Sequence, residues 1–133
     1  MQMESTESPW LGDAVSLVDA FRRKERSPLE ELQASLAAIE KSSLNAFSFV
    51  DAEGAIERAK KADVSKPFGG VPLGVKELDS VQGWPNTEAC VVFADRKATH
   101  TSLLVERATT HGGANHMGLC TASEFGGVNV TRT

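Results

Sequence analysis

The sequence predicts an α/β fold in which helices pack on a partial mixed sheet. Apolar residues with helical spacing follow a capping signal at Ser27. Val71, Leu73 and Val75 alternate along the chain, which is typical of a strand with one buried face. A helical stretch and then a second apolar segment, Ala114 to Leu119, follow this strand. Strand, helix and strand in this order predict a parallel pair with a right-handed crossover.

We divide the 133 residues into two regions of one domain. Residues 1–65 form an N-terminal helical region, and residues 66–133 begin the α/β core. A chain of this length can form one domain with its own core. The hydrophobic fraction of 41% and the charged fraction of 24% are those of an ordinary globular protein.

Two helices are predicted near the start of the chain. The first extends from about Asp13 to Lys24, and Asp13 or Gly12 can cap its start. The second begins with Ser27 as the N-cap and Pro28 at the first helical position. Glu30 completes a capping box, because its side chain can reach back to the amide of the capping serine.

A strand and a third helix complete the first region. Ala46 to Val50 alternates and is rich in residues that favour strands. Asp51 then caps a helix that ends near Ala62. In the second region, Val91 to Phe93 is predicted as a short strand or a buried loop. Thr101 or Ser102 caps a fourth helix that extends to His111.

Charge and composition exclude several classes of protein. The net charge is −4, so no basic surface is available for direct binding of nucleic acid or of an anionic membrane. The longest apolar run, Ala89 to Ala94, is far shorter than the ~20 residues that cross a bilayer. Met1 to Pro9 is too polar for a signal peptide. Cys90 and Cys120 lack a metal or redox spacing and are predicted as free thiols. We therefore expect a cytoplasmic protein without a cofactor.

Lys76 is the residue best placed for chemistry. It ends the predicted strand on the face that carries Pro72 and Gly74, and this face leaves a slot for the lysine stem. An amine at the mouth of an apolar slot is poorly hydrated, which favours its neutral form and makes it a candidate general base. Spacing alone favours an ordinary solvated lysine instead. An ion pair with Asp79 would also oppose the role of base.

The stretch Gly69 to Ala89, GGVPLGVKELDSVQGWPNTEA, resembles the lysine-bearing segment of the amidase-signature hydrolases. The resemblance is strong from about Pro67 onward. It continues through three further stretches: Ser102 to Arg107, Gly112 to Ala114, and Thr121 to Gly127. It implies the N-terminal part of the amidase-signature fold and hydrolysis of the C–N bond of carboxylic amides. Lys76 would be the base of a serine, cis-serine and lysine triad.

The resemblance has two departures and one gap. Glu77 stands where the family more often has aspartate, and Leu119 replaces a common lysine. The Ser- and Gly-rich stretch that would supply both serines and the oxyanion-hole amides is not among the 133 residues. We therefore expect a truncated chain that is inactive alone. The alternatives are a non-catalytic amidase remnant acting as an interaction or complementation module, or a fragment of the A subunit of a tRNA-dependent amidotransferase.

The other candidate site residues have structural explanations. Ser123 lies near glycines but lacks a nucleophile-elbow motif, so a turn or capping role is favoured. His100, His111 and His116 show no metal-binding spacing, and no metal site is predicted.

The expected partners follow from the same resemblance. The substrate would be a small-molecule amide. Apolar surface and sheet edge left without cover favour association, so we expect a homo-oligomer.

Overall fold

The computed structural model describes residues 8–130, and in it helices and loops cover a three-stranded mixed sheet. The predicted α/β fold, with helices on a partial mixed sheet, is therefore confirmed. The prediction that Met1 to Pro9 is not a signal peptide falls mostly outside the described part, because residues 1–7 are not described.

The N-terminal helices begin where the capping signals predict. Helix α1 spans Ala14–Arg22, and the Asp13 side chain accepts a hydrogen bond from the Ser16 amide. Helix α2 spans Pro28–Lys41, and the predicted capping box of Ser27 with Glu30 is formed in both directions. Within residues 8–130, no helix is long and apolar enough to cross a membrane.

Strand β1 spans Phe47–Val50 and leads into helix α3, Ala52–Lys60, through the predicted Asp51 cap. Strand β2 spans Pro72–Lys76 and strand β3 spans Asn115–Cys120. Their order in the sheet is β1-β3-β2, with β1 antiparallel and β2 parallel to β3. The predicted parallel pairing is therefore confirmed.

The crossover between β2 and β3 ends in a helix that changes its geometry. Helix α4 spans Leu103–Glu106 with Ser102 as its cap, and it continues as a π-helical turn over Arg107–His111. Only its first turn is α-helical. The predicted end at His111 followed by Gly112 is confirmed.

A bulge in β3 places the side chains of Met117 and Leu119 in different cores. Leu73 pairs with His116 but Gly74 pairs with Gly118, so Met117 is the extra residue. Met117 packs with the buried side chains of α2 and α3, whereas Leu119 packs in the other core. Without the bulge, these two residues would share one face because side chains alternate along a strand.

Each core joins the sheet to one covering layer. On one face, the buried side chains are Leu32, Ala55, Ala59 and Met117. On the other face, they are Val75, Val81, Trp84, Val105 and Leu119. The second core therefore joins both parallel strands to α4 and to the long segment that follows β2.

The prediction for Val91 to Phe93 was wrong. These residues form a short 3₁₀ helix, and Val91 and Val92 are 90% and 83% exposed. The Phe93 ring instead lies edge-on to Phe125, with 6.3 Å between ring centroids. An apolar triplet is compatible with a strand, but the surrounding chain supplies neither a partner strand nor cover for the two valines.

A buried ion pair fastens the N-terminal segment to α2. Arg26 Nε lies 2.7 Å from Glu31 Oε2, and both side chains are almost fully buried. The Glu31 carboxylate also accepts hydrogen bonds from the Trp10 amide. Because a buried charge without its partner is costly, the pair holds Trp10 and the start of α2 in one arrangement.

His116 lies at the start of β3, and its ring centroid is 5.2 Å from that of Trp84. Its Nδ1 atom is buried and has no hydrogen-bond partner among the described residues. Burial lowers the pKa of His116 from 6.5 to about 4, and the positive charge of Arg58 adds to this lowering. His116 is therefore neutral in the folded chain at pH 7.

Replacing Glu31 by glutamine should destabilise the fold by about 3 kcal/mol, because Arg26 remains buried without a counter-ion. The free energy of unfolding is measured by urea denaturation. Glu25→Gln is the matched control, since its pair with Arg23 is largely exposed and should contribute little. Equal decreases in the free energy of unfolding of the two variants would show that the buried pair stabilises the fold no more than the exposed one.

Acidification should destabilise the fold through His116. Between pH 6.5 and about 4 the unfolded chain protonates this histidine whereas the folded chain does not, so stability falls as the pH drops through this range. Urea midpoints at pH 7.5 and 5.0 measure the loss. His116→Gln should reduce it, while the exposed control His100→Gln should not. A pH dependence unchanged in His116→Gln would contradict this.

Candidate functional site

The candidate site lies where β2 and β3 both end at their carboxyl termini. Lys76 is the last residue of β2 and pairs in register with Cys120, the last residue of β3. The Glu77 amide then donates to the Cys120 carbonyl oxygen over 3.0 Å. Parallel pairing therefore brings the end of the lysine strand beside the segment that follows β3.

The predicted slot for the lysine stem is not present, and Lys76 is exposed. The space above Gly74 is already filled: a Cβ atom there would lie 2.6 Å from Cys120 Sγ and 3.3 Å from the Phe47 ring. Lys76 follows on the same face of β2, beyond this covered position. The expectation of an amine held in an apolar slot within these residues was wrong.

The Lys76 amine forms no ion pair or hydrogen bond with any residue from 8 to 130. The competing hypothesis of a Lys76–Asp79 ion pair is therefore not supported. Asp79 contacts this lysine through the backbone instead, because its amide donates to the Lys76 carbonyl oxygen over 2.8 Å. The amine remains available to a group outside the described residues.

Glu77 is the residue of this site that the sequence analysis missed. The residue is only 7% exposed, and its Oε1 atom accepts a 2.6 Å hydrogen bond from the Ala122 amide. The alternation of Leu73 and Val75 contains the signal, because it places Glu77 on the same apolar face as these residues and Lys76 on the opposite face. A carboxylate on an apolar face requires a hydrogen-bond donor.

Ser123 has the structural role that the sequence favoured. Its hydroxyl donates to the Val128 carbonyl oxygen over 2.5 Å and accepts from the Val128 amide over 3.2 Å. The side chain is buried and closes a loop after β3. A hydroxyl that both donates and accepts hydrogen bonds within a loop stabilises the turn and is not a free nucleophile.

The described cysteines and histidines do not form a metal centre. Cys120 and Cys90 are free thiols, and burial raises the pKa of the Cys120 thiol. Within the described residues, no group of three or more His, Cys, Asp or Glu side chains is arranged to hold a metal ion.

A cavity of about 480 Å³ lies away from Lys76, near the amino ends of β2 and β3. Two of its cations are already engaged. Arg58 bonds to the Asn115 side chain and the His116 carbonyl oxygen, and Lys66 donates to the Thr110 carbonyl oxygen. Because the ligand sites of open α/β sheets lie at the carboxyl ends of the strands, we place the candidate site at Lys76.

Comparison with known proteins places the chain in a family. The sequence model described as Amidase matches residues 30–133. The A subunit of the glutamyl-tRNA(Gln) amidotransferase of Methylacidiphilum infernorum (isolate V4) is 33% identical over 105 residues, which cover 77% of this chain and 21% of that protein. The chain therefore spans about a fifth of the length of this curated relative.

Solved structures show the same fold. The 6-aminohexanoate cyclic dimer hydrolase in complex with its substrate superposes with a TM-score of 0.78 and 23% identity, covering 92% of this chain and 25% of that chain. A chain from a vestigial protein complex, described as revealing the origins of an s-triazine catabolic enzyme, gives a TM-score of 0.79 at 23% identity. It covers 86% of this chain and 27% of its own. Since the family match also spans most of the sequence, the protein belongs to the Amidase family, the amidase-signature proteins.

Proposed function

We propose that the chain carries the general base of an amidase, with Lys76 in that role. The observation that supports this most directly is the position of Lys76 at the carboxyl end of β2, inside the family match. Its amine forms no ion pair or hydrogen bond with any described residue. The corresponding reaction is hydrolysis of the C–N bond of a carboxylic amide. The substrate would be a small-molecule amide, and no cofactor is required.

The proposed chemistry needs two serines. In the family they lie in a Ser- and Gly-rich stretch, and this stretch is not among the 133 residues. A neutral Lys76 accepts a proton from the nucleophilic serine through the second serine. The serine oxygen attacks the amide carbonyl, the C–N bond breaks, and the departing amine or ammonia takes up the proton. Water then hydrolyses the acyl-serine ester and releases the acid.

Lys76 is exposed in the described chain, and we propose that an additional protein segment covers it when it acts as a base. A solvated amine remains protonated at neutral pH, whereas removal from water favours the neutral form that can accept a proton. Covering the carboxyl edge of β2 would supply this desolvation. In this proposal the 133 residues alone are inactive, and they work together with a segment of the same or another polypeptide that brings the serines.

A second candidate is the A subunit of a tRNA-dependent amidotransferase. The observation that favours it is the name shared by several curated relatives, each the A subunit of a glutamyl-tRNA(Gln) amidotransferase, at about one-third identity. The chain has a net charge of −4, so in this candidate other segments or subunits would bind the tRNA. Transfer to glutamyl-tRNA(Gln) in preference to hydrolysis of small amides would favour this candidate.

We further propose that the protein acts in the cytoplasm. Its two cysteines are unpaired, which suits a reducing compartment.

Loss of the Lys76 amine should strongly slow hydrolysis. Ammonia release from a panel of small primary amides is measured for the polypeptide expressed from its complete reading frame. Lys76→Ala should lower kcat by about 10²- to 10⁴-fold, the usual contribution of a general base. Lys41→Ala, at the exposed end of α2, is the matched control and should retain full activity.

The same assay on the 133 residues alone should give no ammonia above the blank. Full turnover by Lys76→Ala in the complete polypeptide would contradict the proposed role. Turnover by the isolated 133 residues would contradict the need for additional serines.

We also propose that isolated copies of the chain associate. β1 and β2 are the two edges of the sheet, and Leu103 and Leu104 on α4 are 59% and 67% exposed. Unpaired edges and exposed apolar side chains both favour association.

Size-exclusion chromatography with light scattering should therefore show a mass above that of one 14.2 kDa chain. Replacing Leu103 and Leu104 together by lysine should shift the distribution toward the monomer, whereas Lys41→Ala should not. A single monomeric peak at micromolar concentration would contradict the proposal.

A further inference from the structure

Glu77 differs from the other buried charged residues of the described chain. Arg26 and Glu31 are also buried, but they neutralise each other in an ion pair. Glu77 forms no ion pair with any residue from 8 to 130. Because an unpaired buried carboxylate is costly to maintain, its hydrogen bonds must account for its position.

The Ala122 amide is the partner that compensates for this burial. The Ala122 amide donates to Glu77 Oε1 over 2.6 Å. Ala122 is itself only 6% exposed, so its amide would otherwise be buried without an acceptor. The bond therefore stabilises both ends, the carboxyl end of β2 and the start of the loop that follows β3.

The loop held by this bond is itself tightly constrained. Ser123 closes it by hydrogen bonds to Val128, and the Phe125 amide donates to the Glu88 carbonyl oxygen over 3.0 Å. Phe125 and Glu88 both have left-handed backbone angles, with φ of 50° and 51°. Such conformations persist in residues other than glycine only where their surroundings enforce them. These bonds therefore hold the loop in one arrangement at the end of β3.

Alternation along β2 connects this bond to Lys76. Neighbouring residues of a strand point to opposite faces, so anchoring the Glu77 side chain on one face directs the Lys76 side chain to the other, where it is exposed. The backbone reverses immediately afterwards, since the Asp79 amide donates to the Lys76 carbonyl oxygen. Lys76 thus belongs to the last pair of the parallel ladder, and both the turn and the buried Glu77 side chain follow it directly.

We propose that Glu77 is a positioning residue for Lys76: its buried carboxylate binds the Ala122 amide and thereby fixes the end of β2 and the loop 121–128 in one arrangement. The role of Lys76 in this inference rests on the proposed function. The bond itself does not, so the two can be tested separately.

The first experiment tests the bond in the 133-residue chain by amide hydrogen exchange. Glu77→Leu should increase exchange at Ala122 and in the loop 121–128 by about 10-fold or more, the effect of losing a hydrogen bond to a charged group. Glu77→Gln keeps an acceptor oxygen and should retain most of the protection. Glu124→Leu, an exposed position in the same loop, is the matched control. Unchanged exchange at Ala122 in Glu77→Leu would overturn the inference.

The second experiment tests positioning in the complete polypeptide through amide hydrolysis. Glu77→Leu should lower kcat by about 10- to 100-fold with little change in KM, and it should shift the pH profile of kcat, because misplacement of the base affects the chemical step. Glu77→Gln should restore most of kcat, and this variant keeps the test valid if Glu77→Leu fails to fold. A merely structural residue would leave the pH profile unmoved.

The outcomes separate the two proposals. Loss of activity in Lys76→Ala with an unchanged kcat and pH profile in both Glu77 variants would overturn the positioning role and leave the proposed function intact. Full activity in Lys76→Ala would overturn the proposed function and the positioning role with it. Loss of activity in both Lys76→Ala and Glu77→Leu, with a shifted pH profile of kcat in Glu77→Leu and recovery in Glu77→Gln, would support the inference.

Discussion

The parallel pairing of β2 with β3 is the interaction on which the rest of the structure depends. Its ladder begins with Pro72 opposite Asn115 and ends with Lys76 opposite Cys120. It brings together Val75 and Leu119, whose side chains form the centre of one core. The same ladder determines which residues meet at the carboxyl edge. Because parallel strands end at the same side of a sheet, the lysine and the loop after β3 are neighbours despite their separation in sequence.

Local signals in the sequence were sufficient for most elements of the fold. The capping box of Ser27 and Glu30 depends on residues three positions apart, so it can be recognised without knowledge of the tertiary structure. The alternation that ends at Lys76 likewise predicts β2, and the strand, helix and strand order predicts its parallel partner. The resemblance to amidase-signature proteins was confirmed by the family match and by the solved structures.

Features that depend on distant contacts could not be predicted. The bulge at Met117 and the filling of the space above Gly74 by Cys120 and Phe47 both require the register of β3. For this reason the expected apolar slot for Lys76 was wrong. The buried position of Glu77 follows from alternation, but its partner Ala122 lies 45 residues away. Strand alternation and the family resemblance therefore identified Lys76, but they did not reveal the bonded carboxylate beside it.

The central claim is that Lys76 serves as the base of an amide hydrolase. Its most direct test is the distance from Lys76 Nζ to the nearest serine hydroxyl in a crystal structure of the complete polypeptide. We predict a serine Oγ within roughly 3 Å of a lysine that has become buried, the geometry that proton transfer requires. A lysine amine that remains in solvent, with no serine hydroxyl within hydrogen-bond reach, would contradict the claim.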